Sequence, residues 1–268
     1  MSQKIVITLL TDFGIEDGYV ASLKGVILGL CPEAALVDIS HSVPPQDVRA
    51  GAFLLSTVYR DFPKGTIHLA VVDPGVGTER RGLALQTGSY QFVGPDNGLF
   101  SLVIEGKQDL QAYSLENPVY WRPEVSNTFH GRDIFAPVAA HLACGVPIDL
   151  LGPSCTPIVA DWVSPSKNET GLRGEVIYID HFGNCITNVT AEHIEGFIDR
   201  KQCIVRVAQR MIPGISKTYA EAAEGEAGEV LALVGSSGHL EIAVNRGSAA
   251  KNLKIPVGEP IIIYKQQL

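Results

Sequence analysis

The sequence predicts an α/β fold: an N-terminal domain over residues 1–160 built on a mainly parallel sheet with helices on both faces, then a small all-β, barrel-like domain over residues 170–268. Three observations predict it. Apolar strand-like runs alternate with helix-length segments through the N-terminal part, the pattern of right-handed βαβ crossovers. Residues 161–169, with Trp162, Ser164, Pro165, Ser166 and Asn168, are turn-rich and aperiodic, which marks a linker. Beyond them only short strands follow one another, without long helices between.

The elements can be justified in order. Ile5 to Leu10 is an unbroken apolar run, a buried strand, and it ends on the acidic loop Thr11 to Gly18. Val20, Leu23, Val26, Ile27 and Leu30 fall at helical spacing, and Cys31-Pro32-Glu33 stops that helix. Ala35 to Ile39 is a second strand. Asp47 is placed to cap a helix carrying Val48, Phe53, Leu54, Val58 and Phe62, which the Pro63-Lys64-Gly65 turn ends. Ile67 to Val72 is the third strand. Gly82 to Thr87 and Tyr90 to Val93, joined by Gly88-Ser89, form a hairpin closed by Pro95-Asp96-Asn97-Gly98. Asp133 is placed to open a helix through Ile134, Val138, His141 and Leu142. In the second domain the expected strands are 174–179, 185–189, 203–207, 230–234, 240–244 and 261–264.

Composition excludes several classes of function. A chain of 268 residues, 46% hydrophobic and 19% charged, has ample material for packed cores. Its formal charge of -8, with the basic residues scattered, argues against nucleic acid, which needs clustered Lys and Arg. No run approaches the roughly 18 apolar residues of a membrane span, and the apolar run before Asp12 is too short for a signal-peptide core, so a cytoplasmic protein with no membrane partner is expected. Cys31, Cys144, Cys155, Cys185 and Cys203 are widely spaced, with no Cys-x-x-Cys pair, so a structural metal is not expected and reduced thiols filling apolar gaps are.

The chemistry gathers at strand ends. Asp73-Pro74-Gly75-Val76-Gly77-Thr78-Glu79-Arg80-Arg81 puts a carboxylate and guanidinium groups around a glycine-rich turn directly after an apolar strand. In open α/β sheets ligands collect beyond the carboxyl ends of such strands. Asp12 stands at the end of the first strand, so two strand ends deliver acids to one rim. Thr128-Phe129-His130-Gly131-Arg132 brings a third polar loop. The turn after Asp73 is superficially a phosphate loop, but it lacks the Gly-Lys-Ser/Thr ending and carries an acid that would repel phosphate, which argues against a nucleotide hydrolase. Taken singly, Asp73 also reads as a turn cap, Arg80 as a surface ion pair and His130 as a hydrogen-bonded core residue.

Five ordered motifs make the chain resemble, over nearly all its length, the S-adenosylmethionine hydroxide adenosyltransferases, relatives of the adenosyl enzymes that fluorinate and chlorinate at C5′. The motifs are Leu10-Thr11-Asp12-Phe13-Gly14, Val72-Asp73-Pro74-Gly75-Val76-Gly77-Thr78, Gly94-Pro95-Asp96-Asn97-Gly98, Thr128-Phe129-His130-Gly131-Arg132-Asp133 and Ile179-Asp180-His181-Phe182-Gly183-Asn184. The resemblance implies hydrolysis of S-adenosyl-L-methionine at the ribose C5′ by an activated water, giving adenosine and L-methionine, with no metal or organic cofactor. It implies an Asp, Arg and His triad around that water at Asp73, Arg80 and His130. By the same resemblance Asp12 takes the ribose diol, a task that suits a carboxylate accepting two hydroxyl donors. Asp17 and Asp180 match acids that face the methionine ammonium, and Ser236 matches a donor to its carboxylate. Ser237 stands where the halogenating relatives have an Arg for that carboxylate. Asn184 matches an adenine contact, and Arg246 lies in Asn245 to Ala249, a segment whose backbone meets adenine. Phe182 packs near the base or in the core. Homotrimers with sites between the α/β domain of one subunit and the β domain of the next are implied.

Two alternatives bear on the same residues. A 5′-halogenase would use the same substrate, but the fluorinating relatives have a hydroxyl-bearing residue at the position of Gly131 and no acid at that of Asp73, and a carboxylate beside the nucleophile site repels halide. A non-catalytic adenosine or S-adenosylmethionine sensor would need Asp12 and Asn184, yet would have no use for the triad.

Overall fold

The computed structural model describes residues 4–168, 171–198, 200, 202–219 and 228–265. The chain divides into two compact units, residues 1–160 and 161–268.

The first unit is built on a six-stranded sheet. Its strands are β1 (Val6–Thr11), β2 (Ala35–Ser40), β3 (Ile67–Val71), β4 (Gly82–Thr87), β5 (Tyr90–Pro95) and β6 (Gln111–Ser114), in the order β2-β1-β3-β5-β4-β6. The pairs β1–β2, β1–β3 and β3–β5 are parallel, and only β4, inserted between β5 and β6, runs against the rest. The central strands are apolar on both faces because both faces are covered. On one side α1 (Tyr19–Leu30) and the later helix of the unit, Ala136–Ala143, pack Leu23, Ile27, Val138 and Leu142 against Ile7, Leu9, Ile67, Leu69 and Val93. α2 (Val48–Val58), capped by the Asp47 side chain on the Ala50 N–H at 2.9 Å, packs with a short α3 (Ser101–Ile104); Ala136–Ala143 is then α4. α2 ends at Val58 in a 3-10 turn, so Phe62 lies past the helix rather than on it.

Register shows in one polar ladder through the core. Thr8 pairs with His68 across β1–β3, and His68 with Phe92 across β3–β5. Thr8 Oγ1 lies 2.8 Å from His68 Nδ1, and the imidazole stacks on Phe92 with centroids 5.0 Å apart. Burial pushes the His68 pKa down to about 4, so the ring is a neutral core group at physiological pH.

The second unit is an all-antiparallel, barrel-like sheet. β8 (Leu172–Ile179), β9 (Cys185–Thr190), β10 (Cys203–Val207), β11 (Arg210–Pro213), β12 (Val230–Val234), β13 (His239–Val244) and β14 (Pro260–Lys265) run in the order β11-β10-β14-β8-β9-β13-β12. Cys203, Val205 and Val207, like Leu240, Ile242 and Val244, alternate inward to fill the core. Ser216, just past β11, bridges Leu233 of β12 and draws the sheet's two ends together. Within the expected linker, Ser166–Lys167 form β7 and pair with Arg173 and Leu172. α5 (Ala191–Glu195) and α6 (Ala249–Leu253) are single turns. Among the described residues no helix is long and apolar enough to cross a membrane.

Candidate active site

β1 and β3 are neighbours whose onward connections run in opposite directions, from β1 to β2 on one side and from β3 to β4 on the other, and the crevice beyond such strand ends is where α/β sheets bind ligands. Thr11 pairs with Val71, which puts Asp12 and Asp73 at adjacent points of one rim. Two successive turns then bring Arg80 back to Asp73. Val76 donates to the Asp73 carbonyl at 3.3 Å and Thr78 to the Gly75 carbonyl at 3.2 Å. Gly77 holds φ +77°, and a Cβ there would come within 2.2 Å of the Asn127 carbonyl oxygen. That close approach seats the 73–81 turn on the loop leading to His130.

The three residues meet. Arg80 Nε donates to Asp73 Oδ1 at 2.8 Å and Oδ2 at 3.0 Å, and Nη2 adds a further bond to Oδ2. The same Nη2 lies 2.9 Å from His130 Nδ1, and the guanidinium sits 5.1 Å from the Phe135 ring centroid. The Asp73 and Arg80 side chains are only 6% and 10% exposed, so this pair is buried and the fork is stronger than a surface bridge. Arg80 has only donors, so His130 Nδ1 accepts, and the ring's proton is on Nε2. Burial, then the Arg80 charge, lowers the His130 pKa from its ordinary range; Asp73 and Asp133 oppose this without reversing it. A neutral His130 is therefore the resting form.

A pH dependence follows from that sign. Protonating His130 would set its Nδ1–H against the Arg80 N–H, and because the folded pKa lies below the ordinary value, the stability carried by the neutral ring is present above about pH 6.5 and falls as pH drops through the lowered pKa. Turnover is expected to fall on the acid side at a pH below the ordinary histidine range, and His130→Asn to remove that limb. A pH–rate profile of both proteins checks it.

The loop that carries His130 is anchored by a buried acid. It directly precedes a π-helical turn, Gly131–Phe135, which runs into α4. Asp133 does not open a regular helix as its position suggests: it is fully buried inside this turn, and its carboxylate accepts from Arg132 Nε at 2.7 Å, Arg122 Nη1 at 3.1 Å and Ser126 N at 2.9 Å. Those donors, not a helix N-terminus, use the acid. Single π turns inside helices often occur at functional sites.

Asp12 is half-buried, and its Oδ2 accepts from the Gln46 N–H at 2.7 Å. Phe13, Tyr19 and Phe129 form an aromatic triangle between the Asp12 loop and the His130 loop, with centroids 5.2 to 5.9 Å apart. Asp17 is exposed in the turn before α1.

In the second unit Asp180 Oδ1 accepts from Phe182 N at 2.9 Å and Asn184 N at 2.8 Å, and Oδ2 from Asn184 Nδ2 at 2.9 Å. Asp180 thus fixes the orientation of the Asn184 amide, whose oxygen it leaves pointing elsewhere. Phe182 is 75% exposed, which rules out a core role. Ser236 is exposed in the β12–β13 turn, and Arg246, exposed at φ +55°, follows β13. Glu241 was not anticipated. It is buried on β13, accepts from the Tyr219 hydroxyl at 2.9 Å, and its pKa is raised by burial and by the Asp180 charge against the Tyr219 bond. A lone acid within an otherwise apolar strand, on the face opposite Leu240 and Ile242, was the sequence signal for it.

Known proteins match this chain over nearly its whole length. Residues 7–152 match the family model of the SAM hydroxide adenosyltransferase N-terminal domain, and residues 174–262 that of the C-terminal domain. A Thermus thermophilus protein named (R)-S-adenosyl-L-methionine hydrolase is 42% identical over 94% of this chain and 96% of its own. A Salinispora arenicola protein of the same name is 40% identical over 95% and 96%. The crystal structure of an uncharacterised conserved protein from Thermotoga maritima superposes with a TM-score of 0.84 at 37% identity, covering 96% of this chain and 99% of that one.

Proposed function

The chain belongs to the SAM hydroxide adenosyltransferase family, and from that premise we propose that it hydrolyses S-adenosyl-L-methionine at the ribose C5′, giving adenosine and L-methionine. The observation that carries this reading is the buried Arg80 guanidinium joined at once to Asp73 and His130. The sulfonium departs as a neutral thioether and needs no acid, so the demand falls on the water. Free water, with a pKa of about 15.7, is too weak an acid for a carboxylate paired to arginine to ionise beforehand. As the C–O bond forms, however, the attacking water becomes strongly acidic. Asp73 then suffices as the acceptor, and the proton passes from it to solvent. Arg80 locks the carboxylate in place, and His130, with Nδ1 engaged, offers Nε2–H as a donor to orient the water. Halide gains nothing from this arrangement, since Asp73 repels an anion.

Asp12 receives the ribose diol, Asn184 and the backbone at Arg246 the adenine, Asp17 and Asp180 the methionine ammonium, and Ser236 its carboxylate. Glu241 lies buried near Asp180, and burial, then the Asp180 charge, raises its pKa. No step calls for a metal or organic cofactor.

Reaction in oxygen-18 water, followed by mass spectrometry, tests the chemistry. The expected label is in the adenosine 5′-hydroxyl and not in methionine, and the R sulfonium diastereomer is expected to be consumed while the S form is spared, in keeping with the name of the relatives. Adenosine without the label would mean an oxygen nucleophile other than water, and tight binding without turnover would leave a sensor.

The family resemblance also supports a homotrimer in which Asp12 and Asp73 of one subunit serve with Asn184 and Ser236 of the next. Mixing and reassembling inactive Asp73→Asn and Asn184→Ala proteins should then restore part of the turnover. Sites complete within one subunit would restore none.

A further inference from the structure

A second set of buried contacts lies on the other side of β1 from the triad. β2 ends at Ser40, and the chain from His41 to Gln46 reaches the end of β1. The His41 side chain is 5% exposed. Its Nδ1 lies 2.8 Å from Thr11 Oγ1, and its carbonyl accepts from the Gly14 N–H at 2.8 Å. Thr11 and Gly14 bracket Asp12 and Phe13, so one residue braces the loop from both ends.

Proton placement is consistent. The Asp38 carboxylate beside Nε2 favours the imidazole N–H there, so Nδ1 accepts from the Thr11 hydroxyl, whose oxygen in turn accepts from the Phe13 N–H at 3.3 Å. Asp38 Oδ1 lies 3.1 Å from Nε2, too poorly aligned for a good hydrogen bond but close enough for electrostatic attraction, and Lys24 holds the other Asp38 oxygen at 2.6 Å. Gln46, at φ +66°, occupies the left-handed region that disfavours a side chain, and in that conformation its N–H meets Asp12 Oδ2 at 2.7 Å. Strain of this kind persists where the surroundings over-determine it, often around ligands.

We propose that His41 is a positioning residue which, with the strained Gln46 amide, fixes the Asp12 carboxylate for the two hydroxyls of the ribose. The proposal rests on the reading that Asp12 binds ribose. Gln46 satisfies part of one carboxylate oxygen and leaves the remaining lone pairs for the diol, while the Thr11–His41 bond keeps the loop from rotating that pair away. The benefit is preorganisation: the ligand does not have to order the loop.

Calorimetric titration of adenosine and 2′,3′-dideoxyadenosine tests it. The wild-type protein is expected to prefer adenosine, and Asp12→Ala to abolish the preference. His41→Phe keeps a ring without its hydrogen bonds, and is expected to lose about tenfold in adenosine affinity, some 1.4 kcal/mol, with dideoxyadenosine unchanged. His41→Asn, whose amide reaches Thr11 from the place of Nδ1, should recover most of it. Thr11→Val removes the same bond in a side chain of nearly equal shape, and keeps the test open if His41→Phe fails to fold. An equal loss for both ligands, or an undiminished preference, overturns the role of His41. A wild-type protein without the preference would instead overturn the ribose reading of Asp12.

Discussion

Arg80→Ala is expected to cut adenosine formation by about a thousandfold or more, the scale of losing a preorganised donor from a water-excluded site. Three losses coincide. Asp73 keeps its charge in a place where its side chain is 6% exposed, the His130 Nδ1 loses its donor, and the water loses the fixed geometry of both. Removing one member of a buried pair also costs about 3–5 kcal/mol of stability, because the charge left behind is uncompensated. Arg80→Lys separates the two effects. An ammonium restores a point charge but cannot donate to both Asp73 oxygens and to His130, so it should recover stability and little turnover. Chromatographic assay of adenosine, with urea unfolding of the same proteins, checks both; a lysine variant turning over near the wild-type rate would remove Arg80's fork from the mechanism.

Asp133→Ala is expected to be the most destabilising change away from the reacting atoms. Burial by itself would raise the Asp133 pKa, but hydrogen bonds from Arg132 and Ser126 outweigh it and bring it to about 2. A depressed carboxyl pKa contributes stability that is fully present above the unfolded value and is lost as pH falls through the folded one. Here that window runs from about pH 4 to about pH 2, and the contribution is about 2 kcal/mol. Arg122 and Arg132 are part exposed and recover water when the acid goes, so the main damage lies in the loop that Ser126 anchors, and with it His130. Unfolding free energies of wild type and Asp133→Asn should converge as pH falls across that window. Parallel curves would show that the carboxylate's charge is not what holds the loop.

Much of the architecture was legible because burial on both faces forces continuous apolar runs. Ile5 to Leu10 and Ile67 to Val72 announce themselves for that reason. Three strands were missed, and all lie at sheet margins: β7 is two exposed residues paired only with β8, and the other two are edge strands. β6, Gln111–Ser114, and β11, Arg210–Pro213, each border only one strand within its sheet, and β11 buries only Ile212, so neither needs a clear apolar period. Asp133 looked like a helix opener because an acid before an apolar run usually is one; its partners Arg122 and Ser126 lie on a loop that sequence spacing does not fold back. At the rim, Asp73 and Arg80 are seven residues apart on one turn, so their pairing is a local property of the chain. His41 is the opposite case: thirty residues separate it from Thr11, and only the parallel pairing of β1 with β2 brings them together.

The π turn after His130 also fixes how this loop can change over evolutionary time. Such a turn is equivalent to one extra residue within a helix. Deleting a single residue from this turn, the buried Asp133 aside, would let the segment relax into regular α-helix continuous with α4, with its backbone hydrogen bonds intact. Each residue turns a helix by about 100°, so the imidazole would swing away from Arg80 while the domain still folded. Substitutions can be tested one by one in this stretch, but its length is effectively frozen, and insertions or deletions among homologues that keep the activity should fall on either side of it.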